Sequence, residues 1–109
     1  MPSSNIDDAF KERVYTLIGS IPAGQVAAYG QLAKLAGFAN QSRAVGRLLK
    51  NLPEQSSLPW HRVINSQGKI SFPEESEKHF QQRRLLESEG VFFKNNKVSM
   101  KKYQWLENS

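Results

Sequence analysis

A mostly helical α+β domain, a winged helix-turn-helix with a short β-hairpin as its wing, is the fold class this sequence predicts. Three observations predict it. Apolar residues recur at helical spacing near the N-terminus. Two short helical segments follow, separated by a turn of three or four residues. Two strand-like runs then flank the turn Asn65-Ser66-Gln67-Gly68. No repeat, low-complexity linker or shift in composition divides the chain, so residues 1–109 are expected to form one domain.

Ile6, Phe10, Val14, Leu17 and Ile18 recur at spacings of three and four, which predicts an amphipathic helix over 5–19. Ser4 or Asn5 suits its N-cap, and Asp7 and Asp8 suit the positive end of its dipole. Gly19 and Pro22-Ala23-Gly24 end it and turn the chain. A short helix over 29–36, stopped by Gly37, and a second over 41–50, with Asn40 as cap, form the helix-turn-helix. Leu32, Leu35, Val45, Leu48 and Leu49 are its expected buried faces. Arg43, Arg47 and Lys50 then share one exposed stripe of the second helix, at i, i+4 and i+7. Residues 52–58 read as a polar loop, and 61–65 and 69–72 as the two strands of the wing. A long helix fits 74–89, with Gly90 as its stop. In the tail, 91–109, a hairpin turns at Asn95-Asn96, and Tyr103, Trp105 and Leu106 are expected to pack back.

Composition narrows the chemistry. With 109 residues and 39% apolar content the chain can bury an ordinary small core. It holds no cysteine, which excludes disulfides, thiolate metal sites and thiol catalysis. Two histidines on different elements make a poor metal set, so neither metal nor cofactor is expected. There is no apolar run of membrane-spanning length and no signal-peptide pattern, and a cytoplasmic, nucleoid-associated protein is expected. Between Lys34 and Lys69, six basic residues face the single acid Glu54, a local excess equal to the net +5 of the whole chain. A positive field so localised suits a polyanion.

Four segments carry a more specific signal. They are Ile21-Pro22-Ala23-Gly24-Gln25-Val26 followed by Tyr29-Gly30, Ser42-Arg43-Ala44-Val45-Gly46, Pro59-Trp60-His61-Arg62-Val63, and Leu85-Leu86-Glu87-Ser88-Glu89-Gly90. In this order and spacing they resemble the C-terminal domain of the O6-alkylguanine-DNA alkyltransferases, over about residues 6 to 93 and without that family's N-terminal domain. Trp60 stands where those enzymes carry the nucleophilic cysteine. The chain therefore most closely resembles the alkyltransferase-like proteins, which bind alkylated guanine without repairing it. An indole has one N–H donor and no lone pair to make a nucleophile, so no enzyme activity is expected.

The resemblance implies a role for each matching residue. The second helix of the helix-turn-helix enters the minor groove, with Gln41, Ser42, Ala44, Arg47 and Lys50 against the DNA. Arg43 is the finger that fills the space of an extruded nucleotide, for which a planar, always charged guanidinium is suited. Tyr29 crowds the neighbouring phosphate and approaches the flipped base. Trp60, Ser71 and Phe72 line the lesion pocket, where the backbone carbonyls of Trp60 and Val63 accept from the guanine amino group. His61 and Glu89 match a catalytic relay and, without a thiol, are expected to persist as a structural polar pair. Asn51-Leu52-Pro53 separates an Asn-Pro pair usually adjacent in the enzymes. Phe72 replaces a tyrosine-type residue and makes the pocket rim more apolar.

The implied partners are double-stranded DNA containing O6-alkylguanine and a damage-recognition protein of nucleotide excision repair, of the UvrA type. The protein itself is expected to be a monomer. Two other readings compete: an active alkyltransferase, disfavoured by the absence of cysteine, and a winged-helix regulator that reads sequence. A regulator has no use for the Pro-x-His-Arg-Val segment or the Leu-Leu-x-x-Glu-Gly ending.

Overall fold

The computed structural model describes residues 2–53 and 55–106, with side chains from residue 8 onward. Helix α1 (Pro2–Ser20) presents Phe10, Val14 and Ile18 to the core as one stripe. It begins ahead of the expected Ser4 or Asn5 cap; those two side chains and that of Asp7 lie outside the described residues. Past α1 the chain turns at Gly24, whose φ of +90° favours glycine.

The strand β1 (Ala27–Ala28) that follows was not legible in the sequence, because two alanines carry no strand pattern. It pairs in parallel with β2 (Val63–Ile64), in the register Ala27 to Val63 and Ala28 to Ile64. Helices α2 (Tyr29–Leu35) and α3 (Ser42–Lys50) are the helix-turn-helix, close to their expected bounds. Asn40 does not cap α3. It adopts φ +75°, a left-handed turn that asparagine tolerates, and Gln41 becomes the N-cap residue without a side-chain bond. Arg13 of α1 donates to the carbonyl of Ala36 at 3.1 Å and ties the end of α2 to α1.

Leu32, Val45 and Leu49 join Phe10, Val14 and Ile18 in the main core, and Leu48 packs at its margin. Leu35 is the exception, 42% exposed beside Glu12, Arg13 and Thr16 on the outer side of α1.

The expected wing is much reduced. Residues Trp60–Arg62 form a 3₁₀ turn rather than the start of a strand, with the Arg62 N–H donating to the Pro59 carbonyl at 3.0 Å. The turn at 65–68 does form: Asn65 N–H donates to the Lys69 carbonyl and Gly68 N–H to the Asn65 carbonyl, both at 3.0 Å. The ladder stops there, because the Gly68 carbonyl accepts instead from Val98 N–H at 2.9 Å. Residues 69–72 therefore run on as irregular backbone, and the small sheet is the parallel β1–β2 pair. The mostly helical α+β class stands.

Helix α4 (Glu77–Ser88) starts three residues later than its acidic run suggests. Ser76 decides the point: its Oγ accepts from His79 N–H at 3.2 Å while Ser76 itself is folded back onto the Pro73 carbonyl. Gly90, at φ +90°, ends the helix as expected. The tail hairpin turns at Asn95 and Asn96, both at positive φ, with Lys94 bridged to Lys97. A last short helix, α5 (Met100–Tyr103), follows a Ser99 cap. Trp105 is buried and Tyr103 half-buried, whereas Leu106 remains 63% exposed; residues 107–109 lie outside the described residues. Among the described residues no helix is long and apolar enough to cross a membrane.

Candidate nucleic-acid interface

Helix α3 places Arg43, Arg47 and Lys50 on one exposed face, as the spacing requires. None of the three is ion-paired among the described residues. Beside them opens a cavity of about 370 Å³. Ser42, Arg43, Gly46, Arg47 and Lys50 form its α3 wall, Leu49 its floor, and Tyr29, Ser71 and Phe72 the facing side. Residues 42 positions apart in the chain, Tyr29 and Ser71, thus share one mouth. A Cβ on Gly46 would meet nothing within 4 Å, so packing does not demand glycine there; its smallness keeps the wall of the cavity open. Ala44 is half-buried and backs the same helix, while Gln41 is exposed at its start.

Tyr29 opens α2, and its ring is partly sunk into the core beneath the cavity. Burial pushes its phenol above the ordinary value of 10.0, and a hydrogen bond with Ser71 partly opposes that rise. The group stays neutral at physiological pH and keeps its O–H donor, as contact with a phosphate or a base edge requires.

Two of the expected pocket residues sit elsewhere. Trp60 does not line the cavity holding Arg43; it lines a neighbouring one of about 350 Å³. Its ring meets the edges of Phe72 and His61 at centroid distances of 6.0 and 6.1 Å. One face of the indole carries the Lys78 ammonium, 4.3 Å from the ring centroid. Phe72 is thus the partition between Trp60 and the first cavity.

Val63 is 1% exposed and lies under the wall, not on it. Its carbonyl accepts from the Gln82 side chain at 2.8 Å, and the Trp60 carbonyl from the Val63 N–H.

The polar pair His61–Glu89 is present, with Nε2 and Oε2 2.9 Å apart, but it is only part of a larger group. Arg62 grips the same carboxylate bidentately, from Nε at 3.0 Å and from Nη2 at 2.6 Å. Its Nη1 donates to the Ile21 carbonyl at 2.8 Å. Burial alone would raise the Glu89 carboxyl. The hydrogen bonds and charges of Arg62 and His61 outweigh it and hold the group at about 2, against an ordinary 4.5.

Arg62 counts toward the positive charge between Lys34 and Lys69, yet it is spent inward on Glu89. The free field on this face comes from α3 and its neighbours. Gln82 is a second residue that sequence reasoning missed. Its amide donates to the carbonyls of His61 at 3.0 Å and Val63 at 2.8 Å, clamping the 61–63 backbone to α4. A glutamine inside a charged helix reads as surface, and nothing in its spacing marks it as 1% exposed.

The arrangement offers cations, one phenol and an apolar floor around a base-sized hollow. Residues 9–91 match the family described as the DNA-binding domain of 6-O-methylguanine DNA methyltransferase. The chain is 44% identical over 99 residues to a DNA base-flipping protein of Vibrio parahaemolyticus, covering 90% of this chain and 97% of that one. It is 37% identical over 103 residues to alkyltransferase-like protein 1 of Schizosaccharomyces pombe, covering 90% and 95%. The crystal structure of that S. pombe protein, Atl1, in complex with damaged DNA containing O6-carboxymethylguanine superposes with a TM-score of 0.83 at 36% identity, covering 91% of this chain and 96% of that one. Family model, relatives and superposed fold agree: the chain belongs to the alkyltransferase-like members of the 6-O-methylguanine DNA methyltransferase family.

Proposed function

We propose that this protein binds O6-alkylguanine in double-stranded DNA, flips the base out of the stack and holds it without removing the alkyl group. The observation that carries the reading is the shared cavity in which Arg43, Tyr29 and Phe72 meet beside the exposed cations of α3, in a chain with no cysteine. Helix α3 docks in the minor groove, and Arg47 and Lys50 contact phosphates. Arg43 enters the stack as the extruded guanine passes Tyr29 into the cavity. The likeness to a base-flipping protein and to Atl1 bound to damaged DNA supports this.

Trp60 occupies the position of the missing nucleophile. Flipping costs a few kcal/mol, and aromatic contact with the base returns roughly 1–3 kcal/mol, so capture needs no covalent step. The alkyl group stays on the DNA, and the complex hands the site to nucleotide excision repair through a UvrA-type damage-recognition protein. The protein acts as a single-domain monomer at the nucleoid.

Binding to short duplexes with and without one O6-methylguanine, while following the methyl group, tests the reading. Tighter binding to the damaged duplex with the methyl retained on DNA is the expected result. Equal affinity for both duplexes refutes lesion sensing, and methyl transfer to the protein refutes the non-enzymatic role.

Arg47→Ala separates docking from lesion capture. It should weaken damaged and undamaged duplexes by the same factor. It should also reduce the slope of log K against log salt by about 0.9, as loss of one phosphate contact does. A loss confined to the damaged duplex would place Arg47 in the lesion pocket instead.

A further inference from the structure

Helix α2 has a weak start. Its N-cap residue, Ala28, has no side-chain oxygen for the free N–H groups of the first turn, and seven residues are too few to hold that turn unaided. Tyr29 stands in this turn. Gln31 supplies the side-chain bond that the start does have: its Oε1 accepts from the Ala28 N–H at 3.1 Å. The same oxygen accepts from Gln104 Nε2 at 2.7 Å, and Gln31 Nε2 donates to the Trp105 carbonyl. One amide thus makes three hydrogen bonds, two of them to residues 73 and 74 positions away.

The segment that Gln31 grips is itself anchored. Val26 N–H donates to the Tyr103 carbonyl at 2.9 Å, and Trp105 N–H donates to the Val26 carbonyl at 2.7 Å. The Trp105 side chain is buried in the main core. A phenol that crowds a phosphate meets an equal push in return, and a frayed first turn would yield to it. Precise placement therefore needs a rigid backing behind the residue that acts.

We infer that Gln31 is a positioning residue for base flipping: by joining Gln104 and Trp105 to the first turn of α2, it braces Tyr29 against the DNA. The inference rests on the base-flipping reading and gives the C-terminal segment a part in it.

The test measures the affinity ratio between an O6-methylguanine duplex and its unmodified counterpart, at a temperature where circular dichroism shows each variant folded. In Gln31→Glu a carboxylate still accepts from Ala28 and Gln104 but sets an oxygen where the Trp105 carbonyl needs a donor. It should lower the ratio by roughly 3- to 10-fold, the scale of one lost hydrogen bond, and leave binding to unmodified DNA unchanged. Gln104→Leu, a milder change that keeps the other two bonds, should move the ratio in the same direction and carries the test should Gln31→Glu not fold. In a Tyr29→Ala background Gln31→Glu should lower the ratio no further, because the two residues act as one unit. An unchanged ratio in the folded variants overturns the inference, and so does a loss that adds in full to that of Tyr29→Ala. An equal loss on both duplexes also overturns it and reduces Gln31 to a prop for the fold. A wild type that binds both duplexes alike defeats the base-flipping reading itself, a result distinct from any behaviour of the Gln31 variants.

Discussion

Replacing Glu89 with glutamine should lower the thermal midpoint by roughly 10 °C, a loss of about 2 kcal/mol in a domain of this size. The carboxylate receives Arg62 bidentately and His61 from the other side, and through them joins the chain just past the end of α1, the 3₁₀ turn and the end of α4. Holding the carboxyl at about 2 rather than 4.5 corresponds to about 3 kcal/mol of native preference for the ionised form, and partial solvent access trims that figure. The glutamine removes the charge and leaves Arg62 half-buried without its counter-ion.

The pH dependence has a defined sign. A depressed folded-state pKa contributes stability that is complete above the ordinary value of 4.5 and lost as pH falls through about 2. The wild type should therefore lose stability on acidification through that window, and Glu89→Gln should lose less. Denaturant melts at pH 7, 4 and 2.5 check both statements. Parallel curves for the two proteins would show that the carboxylate contributes nothing through its charge.

Arg43→Ala should reduce affinity for an O6-methylguanine duplex by about 1–3 kcal/mol, the scale of one lost stacking contact. That is a loss of roughly 5- to 150-fold. Undamaged DNA should lose much less, since a finger fills a space that exists only when a base is out. Arg43→Lys should not restore the difference, because an ammonium has the charge but neither the plane nor the fork of donors. The place of Arg43 on the cavity wall, exposed and without an ion-pair partner among the described residues, leaves the guanidinium free to move into the stack. Competition between damaged and undamaged duplexes for each variant is the measurement. Equal losses on both would make Arg43 a phosphate contact like Arg47.

Much of the fold was legible because helices are local. The stripe Phe10, Val14, Ile18, the helix-turn-helix and the hairpin at Asn95-Asn96 each follow from spacing or from turn chemistry within a few residues. Of the candidate site, Arg43 and Tyr29 were marked by motifs that fall on α3 and at the start of α2, and the structure places both on one cavity with Ser71 and Phe72. It failed where a contact spans the chain. The wing was expected from the run 61–72, but β2 found β1, some 36 residues upstream of Val63 at Ala27, and 69–72 were left unpaired. Nothing local announces a parallel partner.

What the sequence determined by itself is the helical scaffold, the family, the cationic face of α3 and the absence of a thiol. Each depends on residue identity or on near-neighbour periodicity. Only the tertiary structure decided which groups meet: Arg62 on Glu89 and not on the outer surface, Gln82 on the 61–63 carbonyls, Lys78 over Trp60, and Trp60 behind Phe72 and not in the first cavity. Those outcomes depend on side chains tens of residues apart competing for the same partners, and that competition is settled by packing in three dimensions.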